Sequence, residues 1–154
     1  MVPFMKKKVL FICVHNSARS QMAAALLNKM CGEFFEAHSA GLEPGALNPL
    51  AVEVLEEVGI DISGNKTQAV FDVWKSGKHV FAYVISVCAE SEAEACPIFP
   101  GPAQRLHWSF PDPSKFQGSH EDQLSETRKV RDQITAKLES FCDEHCASEQ
   151  PARR

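Results

Sequence analysis

The sequence predicts a single α/β domain with a central parallel sheet of about four strands flanked by helices, and three observations lead there. Two runs, Val9–Val14 and His79–Val87, are apolar without polar alternation, as in strands covered on both faces. Elsewhere apolar residues recur at the spacing of one helix face. Strand and helix patterns alternate along the chain with neither internal repeat nor linker, which is how a parallel sheet is connected. The 154 residues, 44% apolar and 23% charged, suffice for one such domain with its own core.

The first strand, Val9–Val14, gives way to a loop of small polar residues, Cys13-Val-His-Asn-Ser-Ala-Arg19-Ser20. From Ser20 onward, Met22, Ala23, Leu26, Leu27 and Met30 mark a helix packed on the sheet. Phe34–Ser39 alternates loosely as a second short strand, and Gly41 permits a tight bend after it. Asn48-Pro49 starts a second helix, with Leu50, Val54, Leu55 and Val58 turned inward and Gly59 at its stop. Residues 61–67 read as turn. Gln68–Ser76 is a weaker helix with Val70, Phe71 and Trp74 on one side and Gly77 at its end. His79–Val87 is a central strand ending at Cys88, followed by the short acidic stretch Ala89–Ala95 and by Cys96-Pro97. Arg105–Phe110 forms a last strand. Glu121–Cys146 is a long helix whose Leu124, Val130, Ile134, Leu138, Phe141 and Cys142 fall within one arc. The domain is expected to span 6–146, and the polar stretch 147–154 to be a disordered tail.

The formal net charge of −4 implies no general affinity for nucleic acid or an acidic membrane. Lys6-Lys7-Lys8 precedes an apolar run of only six residues, too short for a secretory leader, and no stretch approaches the ~18 apolar residues of a membrane span. A cytoplasmic protein is expected. Six cysteines then point to chemistry, metal or packing, and away from a disulfide framework. Cys31 reads as helix core. Cys142-x3-Cys146 with His145 has no second ligand pair, and Cys88-x7-Cys96 lacks the short paired spacing of zinc sites, so no metal site is expected.

A loop that leads from a strand into a helix N-terminus aims several backbone N–H groups at one spot, and the helix dipole adds positive potential there. Cys13 opens this loop and Arg19 closes it. A tetrahedral anion held by the amides of Val14, His15, Asn16, Ser17, Ala18, Arg19 and Ser20, and gripped by the Arg19 guanidinium, would lie against the Cys13 thiol. The same field favours a thiolate, which makes Cys13 a nucleophile. The plainer alternative, a cysteine merely buried at a strand end, leaves Arg19 and Ser20 at the helix start unexplained. His15 either assists the thiolate or faces solvent. Asp112, in Phe110-Pro-Asp-Pro113, is held on a loop by prolines that restrict the backbone on both sides; it is either a general acid or the cap of a turn.

Cys13-x5-Arg19-Ser20 between a first strand and first helix resembles the phosphate loop of the low-molecular-weight protein tyrosine phosphatase fold. Within that fold Asn16–Met22, Cys88…Cys96-Pro97 and His107-Trp-Ser-Phe-Pro-Asp-Pro113 resemble the thioredoxin-coupled arsenate reductases, over about Lys7 to Cys146. The resemblance implies that Cys13 attacks arsenate bound by the loop and Arg19, with Asp112 as acid. It further implies that Cys88 then attacks Cys13 and releases arsenite, and that Cys96 attacks Cys88 and passes the disulfide outward to thioredoxin. Some relatives bind potassium beside the loop; Asn16, Ser39 and Thr67 could supply oxygens, but Ala69 stands where a carboxylate would be expected. The second reading is a small tyrosine phosphatase working through a Cys13 phosphoenzyme. Against it, Asp112-Pro113-Ser114 lacks the aromatic pair that flanks a phosphotyrosine pocket in that branch. A third reading, an anion- or arsenic-binding module without turnover, would leave nucleophile and acid without purpose.

Overall fold

The computed structural model describes residues 5–89 and 101–149. Four strands, β1 (Lys7–Cys13), β2 (Phe35–Gly41), β3 (Phe81–Ser86) and β4 (Gln104–His107), form one sheet in the order β2-β1-β3-β4. Every pairing is parallel, as the alternating pattern predicts. Four α-helices accompany it: α1 (Arg19–Cys31), α2 (Pro49–Glu56), α3 (Val70–Ser76) and α4 (His120–Glu149).

β1 is central and covered on both faces, so Val9, Leu10, Phe11 and Ile12 are all essentially inaccessible to solvent. Each contributes on the order of 1.5–3 kcal/mol by its burial, and none could be polar. Val9, Phe11 and Cys13 share the larger core with α1, α2 and α4, while Leu10 and Ile12 share a smaller one with Val70 and Val73 of α3. Because α3 has only seven residues, the smaller face is left part-covered near the start of the strands, where Lys8, Glu36 and His38 stand half-buried.

Individual elements depart from the sequence reading for local reasons. The inward side of α3 is Val70 and Val73, whereas Phe71 and Trp74 lie on the exposed side; so short a helix buries little more than one pair of residues three apart. β3 begins at Phe81, because Gly77 ends α3 in the left-handed conformation (φ 62°) and the chain reaches the ladder only after Val80, which is 82% exposed. β4 stops at His107, short of Phe110. Val58 lies beyond the end of α2 and is exposed. Asn48 caps α2 as expected, its Oδ1 accepting from Leu50 N at 2.9 Å with Pro49 in the first turn. The six apolar residues expected on the packed side of α4 are all buried, and that helix continues to Glu149, past the point where the tail was expected to begin. Residues 150–154 lie outside the described residues. Among the described residues, no helix is long and apolar enough to cross a membrane.

Candidate active site

The loop between β1 and α1 is shaped by the segment that follows β2. Leu42 N donates to Cys13 O, Glu43 N to Val14 O, Gly45 N to His15 O and Asn48 N to Ser17 O, at 2.8–3.2 Å. Across a trans peptide the next N–H points opposite to the carbonyl, so a loop whose carbonyls are drawn outward presents its amides inward. Asn16 N shows this directly, donating to Cys13 Sγ at 3.1 Å. Gly41 allows the close approach: a Cβ there would stand 2.7 Å from Asn16 N, 2.8 Å from Val14 O and 2.9 Å from the His15 carbonyl carbon.

Asn16 fixes the curl of the loop. Its backbone is left-handed (φ 54°), a conformation that asparagine tolerates better than most residues. Its fully buried side chain accepts from Gln68 N at 2.9 Å and donates through Nδ2 to Ser20 Oγ at 2.8 Å. Ser20 Oγ in turn lies 3.0 Å from Cys13 Sγ. Either atom can donate while Cys13 is a thiol; once it is ionised the sulfur can only accept, and it then receives two donors, Ser20 Oγ and Asn16 N. Cys13 is buried and free. His15 turns the other way: it is exposed, and its Nδ1 donates to Glu43 O at 3.0 Å.

Arg19 and Asp112 meet on the other side of the loop, Nη2 to Oδ2 at 3.3 Å, with both side chains nearly fully buried. Arg19 Nη1 also donates to Phe110 O at 3.3 Å. The other oxygen of Asp112 accepts from Ser114 N at 2.9 Å and Ser114 Oγ at 2.8 Å, capping the single 3₁₀ turn Pro113–Lys115. The cap reading therefore leaves the second oxygen available: one oxygen holds the turn and the other is paired with Arg19.

Cys88 is placed by β3. Val87 N donates to Ile12 O at 2.8 Å, and Cys88 Sγ lies 4.0 Å from that same carbonyl, next to the residue before Cys13. The sulfur is fully buried and disulfide-bonded, while Cys13, Cys31 and Cys142 form no disulfide. Cys96 lies outside the described residues. His145 is engaged by Tyr83 Oη at 3.0 Å and packed against Phe35 and Phe141, a structural position at the end of the core.

Gln21 is the residue that sequence reasoning missed. Buried in the first turn of α1, it donates through Nε2 to Asn16 O, Asn16 Oδ1 and Lys66 O at 3.1–3.3 Å, and its Oε1 accepts from Asn65. The oxygens considered for potassium are engaged by protein donors or acceptors here: Thr67 Oγ1 donates to Gly45 O, and Ser39 O accepts from Gln68 Nε2. A polar residue on the buried side of an otherwise apolar helix was the available signal. Among the described residues, no buried side-chain nitrogen or oxygen lacks a partner.

A buried thiol with two hydrogen-bond neighbours, a loop of inward amides at a helix start, and a buried Arg–Asp pair beside a doubly covered parallel sheet are an arrangement able to hold a tetrahedral oxyanion against a sulfur. The chain belongs to the low molecular weight phosphotyrosine protein phosphatase family, whose model matches residues 8–151. Within that family it is similar to the arsenate reductase of Shouchella clausii, 36% identical over 139 residues that cover 90% of this chain and 96% of the relative. A solved arsenate reductase in its oxidized state superposes with a TM-score of 0.73 at 29% identity, covering 90% of this chain and 98% of that one. The thioredoxin-dependent arsenate reductase of Corynebacterium glutamicum superposes with a TM-score of 0.66 at 30% identity, over 96% of this chain and 64% of its own.

Proposed function

We propose that the protein is an arsenate reductase that takes arsenate to arsenite through Cys13, Cys88 and Cys96 and is re-reduced by thioredoxin. The observation that carries this reading is the placement of two sulfurs at neighbouring strand ends. Cys13 closes β1, and Cys88 sits 4.0 Å from the carbonyl of the residue before it. A phosphatase would need only the first.

The Cys13 thiolate attacks arsenic, Asp112 supplies a proton to the departing oxygen, and water leaves a Cys13–arsenic(V) adduct. The Cys88 thiolate then attacks Cys13 Sγ. A sulfur–sulfur bond forms, the sulfur–arsenic pair stays on arsenic, and arsenite departs as arsenic(III). Cys96 attacks Cys88 Sγ and expels Cys13 as thiolate, and a thioredoxin dithiol reduces the Cys88–Cys96 disulfide, supplying the two electrons spent. A disulfide at Cys88 beside a free Cys13 is the arrangement expected after the last internal exchange. Asn16, Ser20 and the loop amides hold the thiolate and anion, and Arg19 neutralises the anion's charge.

Phosphate monoesters fit the same loop, so weak Cys13-dependent phosphatase activity is expected. A hollow of about 460 Å³ beside the loop, lined by Ser17, Asn48, Pro113, Ser114 and His120 among others, carries no Phe, Tyr or Trp among the described residues to sandwich a phenyl ring. Arsenate-dependent NADPH oxidation with thioredoxin and thioredoxin reductase tests the reading. Turnover in the wild type, with at most one turnover in Cys88→Ser and Cys96→Ser, supports it. Sustained turnover in Cys96→Ser sinks the relay. Aryl phosphate hydrolysis that needs Cys13 alone, without arsenate turnover, moves the protein to the phosphatases.

A further inference from the structure

We propose that Glu36, His38 and His79 form a binding site for a divalent cation of borderline character, such as Zn²⁺, on the part-covered sheet face at the opposite end of β1 from Cys13. Among the described residues these three are the group whose potential ligand atoms, one from each, all lie within 4.8 Å of one another. Glu36 and His38 are two apart on β2 and share a face, and the segment before β3 brings His79 over the same spot. The two imidazole rings stand 4.3 Å apart by their centroids. Two imidazole nitrogens and a carboxylate oxygen are a donor set suited to zinc, with a fourth position left for water. Tetrahedral bonds of about 2.0–2.2 Å call for ligand atoms ~3.3–3.6 Å apart, a contraction that half-buried side chains reach by small rotations.

The ligand atoms are already in mutual contact, with His38 Nε2 lying 2.6 Å from Glu36 Oε2. Moreover, a cation already sits among these groups. Lys8 Nζ donates to His79 Nδ1 at 2.9 Å and lies 3.7 Å from Glu36 Oε2. An ammonium on a flexible, part-exposed stem acts as a stand-in for the metal and as its competitor, and a metal would displace it outward. A simple ion pair would require Lys8 and Glu36 but not a second imidazole beside the first. Cys13 lies five steps along β1 from Lys8, roughly 16 Å, so the site is distinct from the thiol chemistry.

Calorimetric titration of the full-length protein with Zn²⁺ decides the matter, comparing wild type with His38→Ala, His79→Ala, Lys8→Met and Cys13→Ser. The expected result is a site in the wild type whose affinity falls by about tenfold or more in either histidine variant, more than the loss of an outer partner would cause. That site is unchanged in Cys13→Ser and tightens in Lys8→Met, where the competing ammonium is gone; a gain of affinity cannot come from a misfolded variant. Absence of wild-type binding up to millimolar Zn²⁺, or binding that both histidine variants retain at full strength, would overturn the proposal.

Discussion

Replacing Asp112 by asparagine separates three roles that the structure gives one carboxylate. One oxygen accepts two hydrogen bonds from Ser114, and the other lies 3.3 Å from Arg19. An amide can serve only one side, because either its NH₂ meets the Arg19 donors or its oxygen leaves Ser114. The free protein should therefore lose about 1–3 kcal/mol, the cost of a buried polar group left without its partner. Saturating phosphate should recover part of that loss, since the anion pairs with Arg19. The carboxylate also competes with the substrate. At an effective dielectric of about 20, a unit negative charge ~6 Å from an anion raises its energy by about 2–3 kcal/mol, so phosphate should bind the variant tighter by roughly 30- to 150-fold. Turnover moves the other way, falling by ~10²–10⁴ as the proton donor is lost. Urea unfolding with and without phosphate, phosphate calorimetry and the thioredoxin-coupled rate measure the three quantities. A rate within about threefold of wild type would refute the acid role. Unchanged phosphate affinity would refute the competition.

Ser20→Ala removes one of the two donors to Cys13 Sγ; at ~1.5–3 kcal/mol for a charge-assisted bond, alkylation of Cys13 and arsenate turnover should both slow by about ten- to a hundredfold, and equal alkylation rates would refute the donor role. Gly41→Ala sets a Cβ against the backbone of three loop residues, so turnover should fall by about a hundredfold with the circular dichroism of the fold retained. Thr67 Oγ1 and Ser39 O are already engaged by protein groups, so turnover should be the same in potassium as in sodium chloride; potassium activation would show that these oxygens are given up to the cation. His79 is held below its ordinary value of 6.5, so as pH falls from there the unfolded chain binds that proton before the folded one does. Stability should decline on acidification below about pH 6.5, and His79→Gln should flatten this part of the profile; an identical slope in the variant would refute the shift.

Much of this was legible because burial leaves a mark on composition. β1 is covered on both faces, so Val9–Ile12 could contain nothing polar, and an unbroken apolar run announced a central parallel strand. α3 was misread for the converse reason. Phe71 and Trp74 are large and apolar yet exposed, and a pattern that assumes apolar residues face inward assigns such a helix to the wrong side. Gln21 was overlooked because its partners, Asn65, Lys66 and Asn16, lie up to 45 residues away in the chain, and no local spacing connects them.

The anion loop shows where a local motif stops short. Cys13, Arg19 and the helix start are all visible in eight consecutive residues, but those residues alone do not decide which way the peptide groups point. The segment after β2 takes up the carbonyls of Cys13, Val14, His15 and Ser17 with the N–H groups of Leu42, Glu43, Gly45 and Asn48. Glycine at position 41 lets that segment come close enough to do so. The inward amides are thus imposed from about 30 residues downstream, by the backbone N–H groups of a stretch to which no catalytic role is assigned. For the same reason an alanine at position 41, remote from any reacting atom in the sequence, should weaken anion binding, while changes at the solvent-facing His15 ring should leave it intact.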